Sequence, residues 1–272
     1  MTTISYMGAN LVAQQLDWNM SDGWMQGDAA ANMYYEPIDT FADRFGAFVG
    51  LVVDSGFSSL DVWSGQLNWR WATPAHLDAA SAALRASGVS VTSYAGFLGE
   101  TPEDFAASCA LAAAIGAPLM SGRTSLLTDD RQSLFRILRS TGRKLAIENH
   151  PETSTQQMIE LIGSDGDDLL GTAVDTGWWA THGVDAAEAV RELAPFTFHV
   201  HLKDIRAVGA HDSCAFGEGI VPLESCAEIL GSNGFDGPIS VEHEPEHSNP
   251  KDDVIRSRVL LEQWLSASLA SK

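Results

Sequence analysis

Cysteine is scarce. The 272 residues hold three, Cys109, Cys214 and Cys226, an odd number with no Cys-x-x-Cys spacing, which excludes a disulfide framework and a thiolate metal site and fits a reducing compartment. Basic residues are few against acidic ones: 16 Lys+Arg face 36 Asp+Glu, a formal net charge of −20. Such a surface repels phosphate backbones and anionic lipid, so neither nucleic acid nor a membrane is an expected partner. No run approaches the roughly 18 apolar residues of a membrane span. The first residues, MTTISYMGANLVAQQLDW, lack the basic start and long apolar stretch of a secretion signal, and the expected location is the cytoplasm. Neither G-x-G-x-x-G nor G-x-x-x-x-G-K-[ST] occurs, which leaves a dinucleotide or P-loop site without support.

What is present is a chain of 45% hydrophobic and 19% charged residues, the balance of a globular domain. Short β-rich runs alternate with longer amphipathic stretches, the pattern of a parallel sheet with helical crossovers. Eight strand candidates follow: residues 4–11, 59–65, 89–98, 118–124, 144–150, 170–178, 196–204 and 237–245. Between them lie helical patterns with recognisable starts, at Thr40-Phe41, at Pro74, at TPEDF, TDDRQ, STQQM, DAAEA and PLESC, several closing on a glycine suited to a left-handed cap. A last helix is expected at about 252–269, followed by a polar tail that frays. Eight strand–helix pairs in about 270 residues, with no Pro/Gly/Ser-rich linker, predict an α/β fold, a single (β/α)8 TIM barrel spanning residues 1–272. Residues 16–37 form the one long connection and are expected to be an aromatic-rich loop of the lid or binding type.

Barrels of this kind build their chemistry at the C-terminal ends of the strands. Four consecutive strand ends carry ionisable groups: Ile147-Glu148-Asn149-His150, Val174-Asp175-Thr176, His199-Val200-His201 and Val241-Glu242-His243-Glu244. A charge buried at a strand end costs several kcal/mol unless it is paired or bound to a cation. Three carboxylates and one imidazole around one mouth answer that cost together. Glu148, Asp175, His201 and Glu242, with no thiolate, suit one divalent ion, Mn²⁺ first, with Mg²⁺, Co²⁺, Zn²⁺ and Fe²⁺ compatible. His199 and His201 share a strand face, so one can be a ligand and the other a deeper packing group; His201, nearer the strand end, is taken as the ligand. An isolated strand-end acid that merely caps the next helix is the competing reading for each residue singly.

At these residues the chain resembles the sugar isomerase/epimerase superfamily, the xylose isomerase-like TIM barrels. The resemblance rests on IENH at 147–150, AVDTGW at 173–178, HVHLKD at 199–204, FGEGIVP at 216–222 and ISVEHEP at 239–245. It implies that Glu148, Asp175, His201 and Glu242 are the metal ligands and that Glu148 and Glu242 also form the proton-transfer pair across the substrate. Several family members place a substrate-binding His three residues after the strand-six Asp. Here that position is Trp178, and His182 lies four residues further on. The trinuclear zinc endonuclease branch would need histidines at the ends of strands two and three, which here offer Trp63 and Tyr94.

Such a site abstracts a proton next to a carbonyl, through a metal-stabilised enediolate. Return of the proton gives isomerisation or epimerisation; departure of a β-leaving group gives elimination. Glu148, Glu242 and His150 are the acid–base candidates, although His150 lies beyond the strand and can equally orient a carboxylate. Lys203 and Arg206 are candidates for binding substrate oxygens, with a plain salt bridge as the alternative. Trp18, Trp24, Trp63, Trp69, Trp71, Trp178 and Trp179 all fall in or beside strand-end loops. Trp18, Trp24, Trp63 and Trp178, together with His182, are the expected substrate wall. Arg123 and Arg206 are the obvious loop arginines, so an unphosphorylated carbohydrate, a keto sugar or inosose, is favoured. The second reading is a lyase on 3-oxo-glycosides, as in the metal subunits of C-glycoside deglycosidases, which resemble this chain in scaffold. By that resemblance a homo-oligomer or a smaller partner subunit is compatible with the chain.

Overall fold

In the computed structural model, which describes residues 2–166 and 168–270, eight parallel strands close into a barrel. They are β1 (Ile4–Met7), β2 (Ser59–Trp63), β3 (Ser90–Phe97), β4 (Leu119–Arg123), β5 (Lys144–Glu148), β6 (Leu170–Asp175), β7 (Thr197–Leu202) and β8 (Ile239–Val241). Each pairs with its sequence neighbours, and β8 closes on β1 through Ile4 opposite Ile239 and Tyr6 opposite Val241. The outward faces of the strands carry Leu60, Val62, Leu145, Ile147, Val174, Val200, Leu202 and Val241, all buried under the helical ring. The helix Ile38–Asp54 shows how that ring is held. Phe41, Phe45, Phe48, Val49 and Val52 recur at helical spacing and are all buried, each contributing about 1.5–3 kcal/mol by leaving water.

Local signals in the sequence account for most boundaries. Thr73 and Thr101 build capping boxes ahead of Pro74 and Pro102, and Gly88 and Gly142 end their helices in the left-handed region at φ 69° and 63°, where a Cβ would be strained. The strands are shorter than the periodicity suggests. The sixth was expected over 170–178 but stops at Asp175, because the Asp175 side chain accepts from Trp178 N and starts a short helix, Thr176–Thr181. The first stops at Met7 and continues as a 3-10 turn, Gly8–Leu11.

The expected loop over residues 16–37 is a correction: it contains a three-turn helix, Trp24–Tyr35. Its apolar residues are too sparsely spaced to announce it; Ala31 and Tyr35 are buried against the core, and Asn32 Oδ1 adds polar ties by accepting from Asn68 Nδ2 and Trp71 Nε1, both at 2.9 Å. The second helix begins at Ile38 rather than Thr40. The last runs over Lys251–Ala270, and the tail residues 271–272 lie outside the described residues.

Candidate metal centre and active-site mouth

The barrel register brings the ionisable strand ends together. Glu148 lies opposite Ala173, Asp175 opposite His201, and His201 opposite Ser240, two residues before Glu242. Two asparagines lock the ends of these strands by imitating a ladder step. Asn149 donates to Asp175 O at 3.0 Å and accepts from Asp175 N at 2.9 Å; Asn10 donates to Val241 O at 3.0 Å and accepts from His243 N at 2.8 Å. Both are fully buried, so each holds rigid the backbone that carries a carboxylate of the cluster, Asp175 or Glu242.

One ligand atom from each of Glu148, Asp175, His201 and Glu242 lies within 4.8 Å of the others. His201 Nδ1 faces the carboxylates, 2.6 Å from Glu148 Oε1 and 3.0 Å from Glu242 Oε2, while its Nε2 lies 3.3 Å from Ser121 Oγ. Asp175 spends one oxygen on the cap to Trp178 N; its other oxygen, Oδ2, is buried without a hydrogen-bond partner, 3.9 Å from Lys203 Nζ, while Glu242 Oε2 has to share His201 Nδ1 with Glu148. Unpaired carboxylate oxygens in a buried acidic cluster cost several kcal/mol, and a cation among them removes that cost. The four residues therefore fit a divalent ion.

Burial and neighbouring charge pull the titration of the cluster in opposite directions. Burial raises Asp175 well above the usual carboxylate range, and Glu242 and Glu148 add to it against the pull of Lys203. Burial pushes Glu148 up too, but His201 and His150 reverse this and leave it low. Burial lowers His201, yet Glu148 and Glu242 outweigh it and hold the imidazole well above its ordinary value. For Glu242, burial is overcome by Lys203 and His201, and its carboxyl is held low.

Lys203 is buried here rather than free at the rim. Its Nζ lies 2.8 Å from Glu242 Oε1, 2.5 Å from Glu244 Oε2 and 3.9 Å from Asp175 Oδ2. Glu244 was not singled out from the sequence. Burial raises its pKa to about 7 despite Lys203, and its Oε1 accepts from Trp24 Nε1 at 3.1 Å. The helix Trp24–Tyr35 is thereby tied to the acidic cluster. His150 Nε2 is 3.5 Å from Glu148 Oε2; burial pushes the imidazole down, with Glu148 opposing. His199 lies deeper, its Nε2 2.8 Å from Ser240 Oγ and 3.6 Å from Asp61 Oδ1, its ring edge-on to His201 at 4.6 Å.

The aromatic residues divide. Trp178 is flanked by His150 at 4.8 Å, His211 at 5.1 Å and His182 at 6.1 Å, and His182 Nε2 lies 2.7 Å from His150 O. Trp24, 38% exposed, packs edge-on against Trp63 at 5.4 Å. Trp63 is 2% exposed and Trp179 fully buried, so both pack rather than present a face, and Trp18 is half-buried against the core. Arg206 does not join the cluster; it is exposed and pairs with Glu218 at 3.7 Å. Arg123 is committed as well, donating to Glu148 O and to both oxygens of Glu152, each at 3.0 Å.

With this geometry in hand, the comparison with known proteins is decisive at the level of family: residues 49–264 match the model of the xylose isomerase-like TIM barrel. The chain belongs to that family. It is 25% identical over 158 residues to an inosose dehydratase of Clostridium perfringens, covering 50% of this chain and 53% of that relative, so it spans about half the length of the curated relatives it matches. Over 73 residues it is 37% identical to an L-ribulose-5-phosphate 3-epimerase of Salmonella paratyphi B, covering 26% of this chain and 24% of that one. A solved L-ribulose 3-epimerase superimposes with a TM-score of 0.72 at 13% identity, over 100% of this chain and 97% of the other, a likeness of fold. The relatives are sugar-modifying enzymes, and the chain shares their fold together with a cluster able to hold a metal ion.

Proposed function

We propose that the chain is a divalent-metal-dependent isomerase or epimerase that abstracts a proton alpha to the carbonyl of a keto sugar or inosose. One observation carries the reading: Glu148 and Glu242 both reach His201 Nδ1, at 2.6 and 3.0 Å, in a cluster whose Asp175 Oδ2 lacks a hydrogen-bond partner. An ion held by Glu148, Asp175, His201 and Glu242, with Mn²⁺ best suited to three carboxylates and one imidazole, would polarise the substrate carbonyl and acidify the adjacent C–H. Glu148 is the group to remove the proton, since Lys203 already holds Glu242 Oε1 at 2.8 Å. Glu148 keeps that proton; Glu242, on the opposite face, would pass to the carbanion a proton drawn from the Lys203 ammonium, 2.8 Å from its Oε1, with both groups reset by exchange with solvent, and His150, 3.5 Å from Glu148 Oε2, serves as the relay or orienting group for Glu148. Trp24, Trp178 and His182 line the mouth, and Lys203 lies within reach of substrate oxygens beside Glu242. With Arg123 and Arg206 committed to Glu152 and Glu218, an unphosphorylated substrate is favoured.

A second reading, elimination from a 3-oxo-glycoside or an inosose, begins with the same proton abstraction and differs in the departure of a β-leaving group. The aromatic mouth, Trp24 beside Trp63 and Trp178 among three imidazoles, and the similarity to a dehydratase favour it. NMR with mass spectrometry on the Mn²⁺-loaded protein in D₂O separates the two, with free ketoses, inososes and 3-oxo-glucosides of aromatic aglycones as substrates. Deuterium entering a sugar carbon without fragmentation, and lost in Glu148→Gln, is the expected result. Release of water or an aglycone replaces the isomerase by the lyase, and absence of both exchange and release with every substrate refutes proton abstraction.

A further inference from the structure

Arg70 occupies the connection between β2 and the helix Pro74–Ser87, on the same mouth of the barrel as the acidic cluster. It is exposed, yet it is held in place. Its guanidinium carbon sits 4.6 Å over the Trp69 ring and 5.7 Å from the Phe97 ring at the end of β3. Trp69 is pinned in turn, its Nε1 donating to Phe97 O at 3.1 Å. The Arg70 backbone N donates to Asn68 Oδ1 at 3.0 Å, and Asn68 is tied to Asn32 of the helix Trp24–Tyr35.

Among the described residues the Arg70 side chain forms neither a direct ion pair nor a hydrogen bond, although Asp28 and Asp104 lie near enough to feel its charge. The other cations of the mouth are all committed: Arg123 to Glu152, Arg206 to Glu218, Lys203 to Glu242 and Glu244. A guanidinium stacked on an aromatic face keeps its N–H edge free, and that fork matches a carboxylate in two parallel hydrogen bonds.

The wall between the two places is aromatic. Glu244, bonded to Lys203, accepts from Trp24; Trp24 packs on Trp63; Trp63 pairs with Ala95 of β3; and two residues further along β3 stands Phe97 beneath Arg70. We propose that Arg70, stacked on Trp69 beside Phe97, is the recognition site for a single carboxylate at the far end of the substrate, whose flat apolar part lies against the exposed parts of Trp24 and Phe97. The inference rests on the proposed reading of the acidic cluster as the reacting end. One cation without a direct partner, on a molecule of net charge −20, selects a monoanion over a dianionic phosphate, which ordinarily draws several donors.

The test is titration calorimetry on the Mn²⁺-loaded full chain with two unreactive probes, 4-carboxyphenyl β-D-glucoside and its methyl ester. The acid is expected to bind about tenfold more tightly than the ester, the worth of one charge-assisted pair. Arg70→Ala should erase the preference, Arg70→Lys should retain no more than about threefold because a point charge lacks the planar fork, and Arg206→Ala should leave the preference intact. Should Arg70→Ala fail to fold, the wild-type preference must shrink between 50 mM and 500 mM salt, as an exposed pair requires. Equal affinity for acid and ester, no binding of either, a preference that survives Arg70→Ala, or one insensitive to salt overturns the proposal. Because binding is read without turnover, a protein that exchanges deuterium but shows no carboxylate preference loses only this inference. One that prefers the carboxylate but exchanges nothing loses only the proposed reaction.

Discussion

Replacing Lys203 by Met tests the electrostatic account of the mouth most directly. The ammonium is buried and faces Glu242 at 2.8 Å, Glu244 at 2.5 Å and Asp175 at 3.9 Å. At an effective dielectric of about 20 the attraction to Glu242 is roughly 6 kcal/mol and that to Asp175 roughly 4 kcal/mol, much of it offset by the desolvation of Lys203 itself. Removing one partner of a buried pair while leaving the other charged costs about 3–5 kcal/mol. For a barrel of this size a kcal/mol is worth about 2–4 °C, so Lys203→Met should lower the thermal midpoint by about 6–20 °C in EDTA at pH 7.5. Divalent metal should recover part of that loss, because it puts positive charge among the same carboxylates. Adding Glu244→Gln to Lys203→Met should also recover part of it by removing one uncompensated charge. The assay is thermal unfolding followed by circular dichroism, with and without Mn²⁺. A fall of less than about 1 kcal/mol would refute the claim that Lys203 neutralises this cluster.

Other expectations follow from the same contacts. Asp175→Asn keeps the cap to Trp178 N but removes a carboxyl whose charged form burial disfavours, so the metal-free protein should unfold about 2–8 °C higher, for a gain of about 1–2 kcal/mol, while the upward shift caused by metal disappears. In the unmodified chain, metal at a hundred times its Kd should add about 2.7 kcal/mol, removed again by chelator in a thermal scan. Burial raises the thiols of Cys109 and Cys214 to about 11 and that of Cys226 to about 12. A raised thiol pKa means less thiolate, the reactive form, so at pH 8 a thiol reagent should label none of the three in the native protein and all three in denaturant. Asn149→Ala breaks two buried hydrogen bonds and leaves Asp175 N and O unpaired, a loss of about 2–4 kcal/mol, read in urea together with a weaker affinity for Mn²⁺ in calorimetry.

The barrel and its four-donor cluster were legible because both rest on local alternation. A strand of period two that ends in an acid or an imidazole tells where that residue points, and closure of the barrel makes four such ends converge. Glu244 was missed although it stands in the same ISVEHEP run. A second acid two residues beyond a ligand reads as a solvated rim, and only the fold brings Lys203 and Trp24 onto it from opposite sides. Trp63 was read as part of the substrate wall because it ends a strand, yet Trp24 covers it, and that contact depends on a helix the sequence pattern conceals. Arg70 was passed over among the loop arginines. Nothing in RWATP separates a cation that will pair from one that will not; Arg123 and Arg206 have acids waiting 29 and 12 residues away in sequence, at Glu152 and Glu218.

The acid excess gives these separate features a common physical sense. A surface of net charge −20 raises the local concentration of divalent cations and lowers that of anions, and the three buried carboxylates around His201 form the end point of that field. The same field works against an anionic substrate, so one that carries a carboxylate needs a cation withheld from the surrounding acids. In the proposed role Arg70 is held by Trp69 and Phe97: aromatic faces leave its N–H edge open, whereas a carboxylate in direct contact would occupy it, and Asp28 and Asp104 act on it only at a distance. Lowering the field while keeping the pair should therefore strengthen binding of the carboxylated probe. Charge-neutralising substitutions of exposed acids at the opposite end of the barrel, such as Asp54→Asn with Asp236→Asn, should raise its on-rate in stopped-flow measurements at low salt and leave the ester unchanged. Equal acceleration of both probes would show that the field does not select between them.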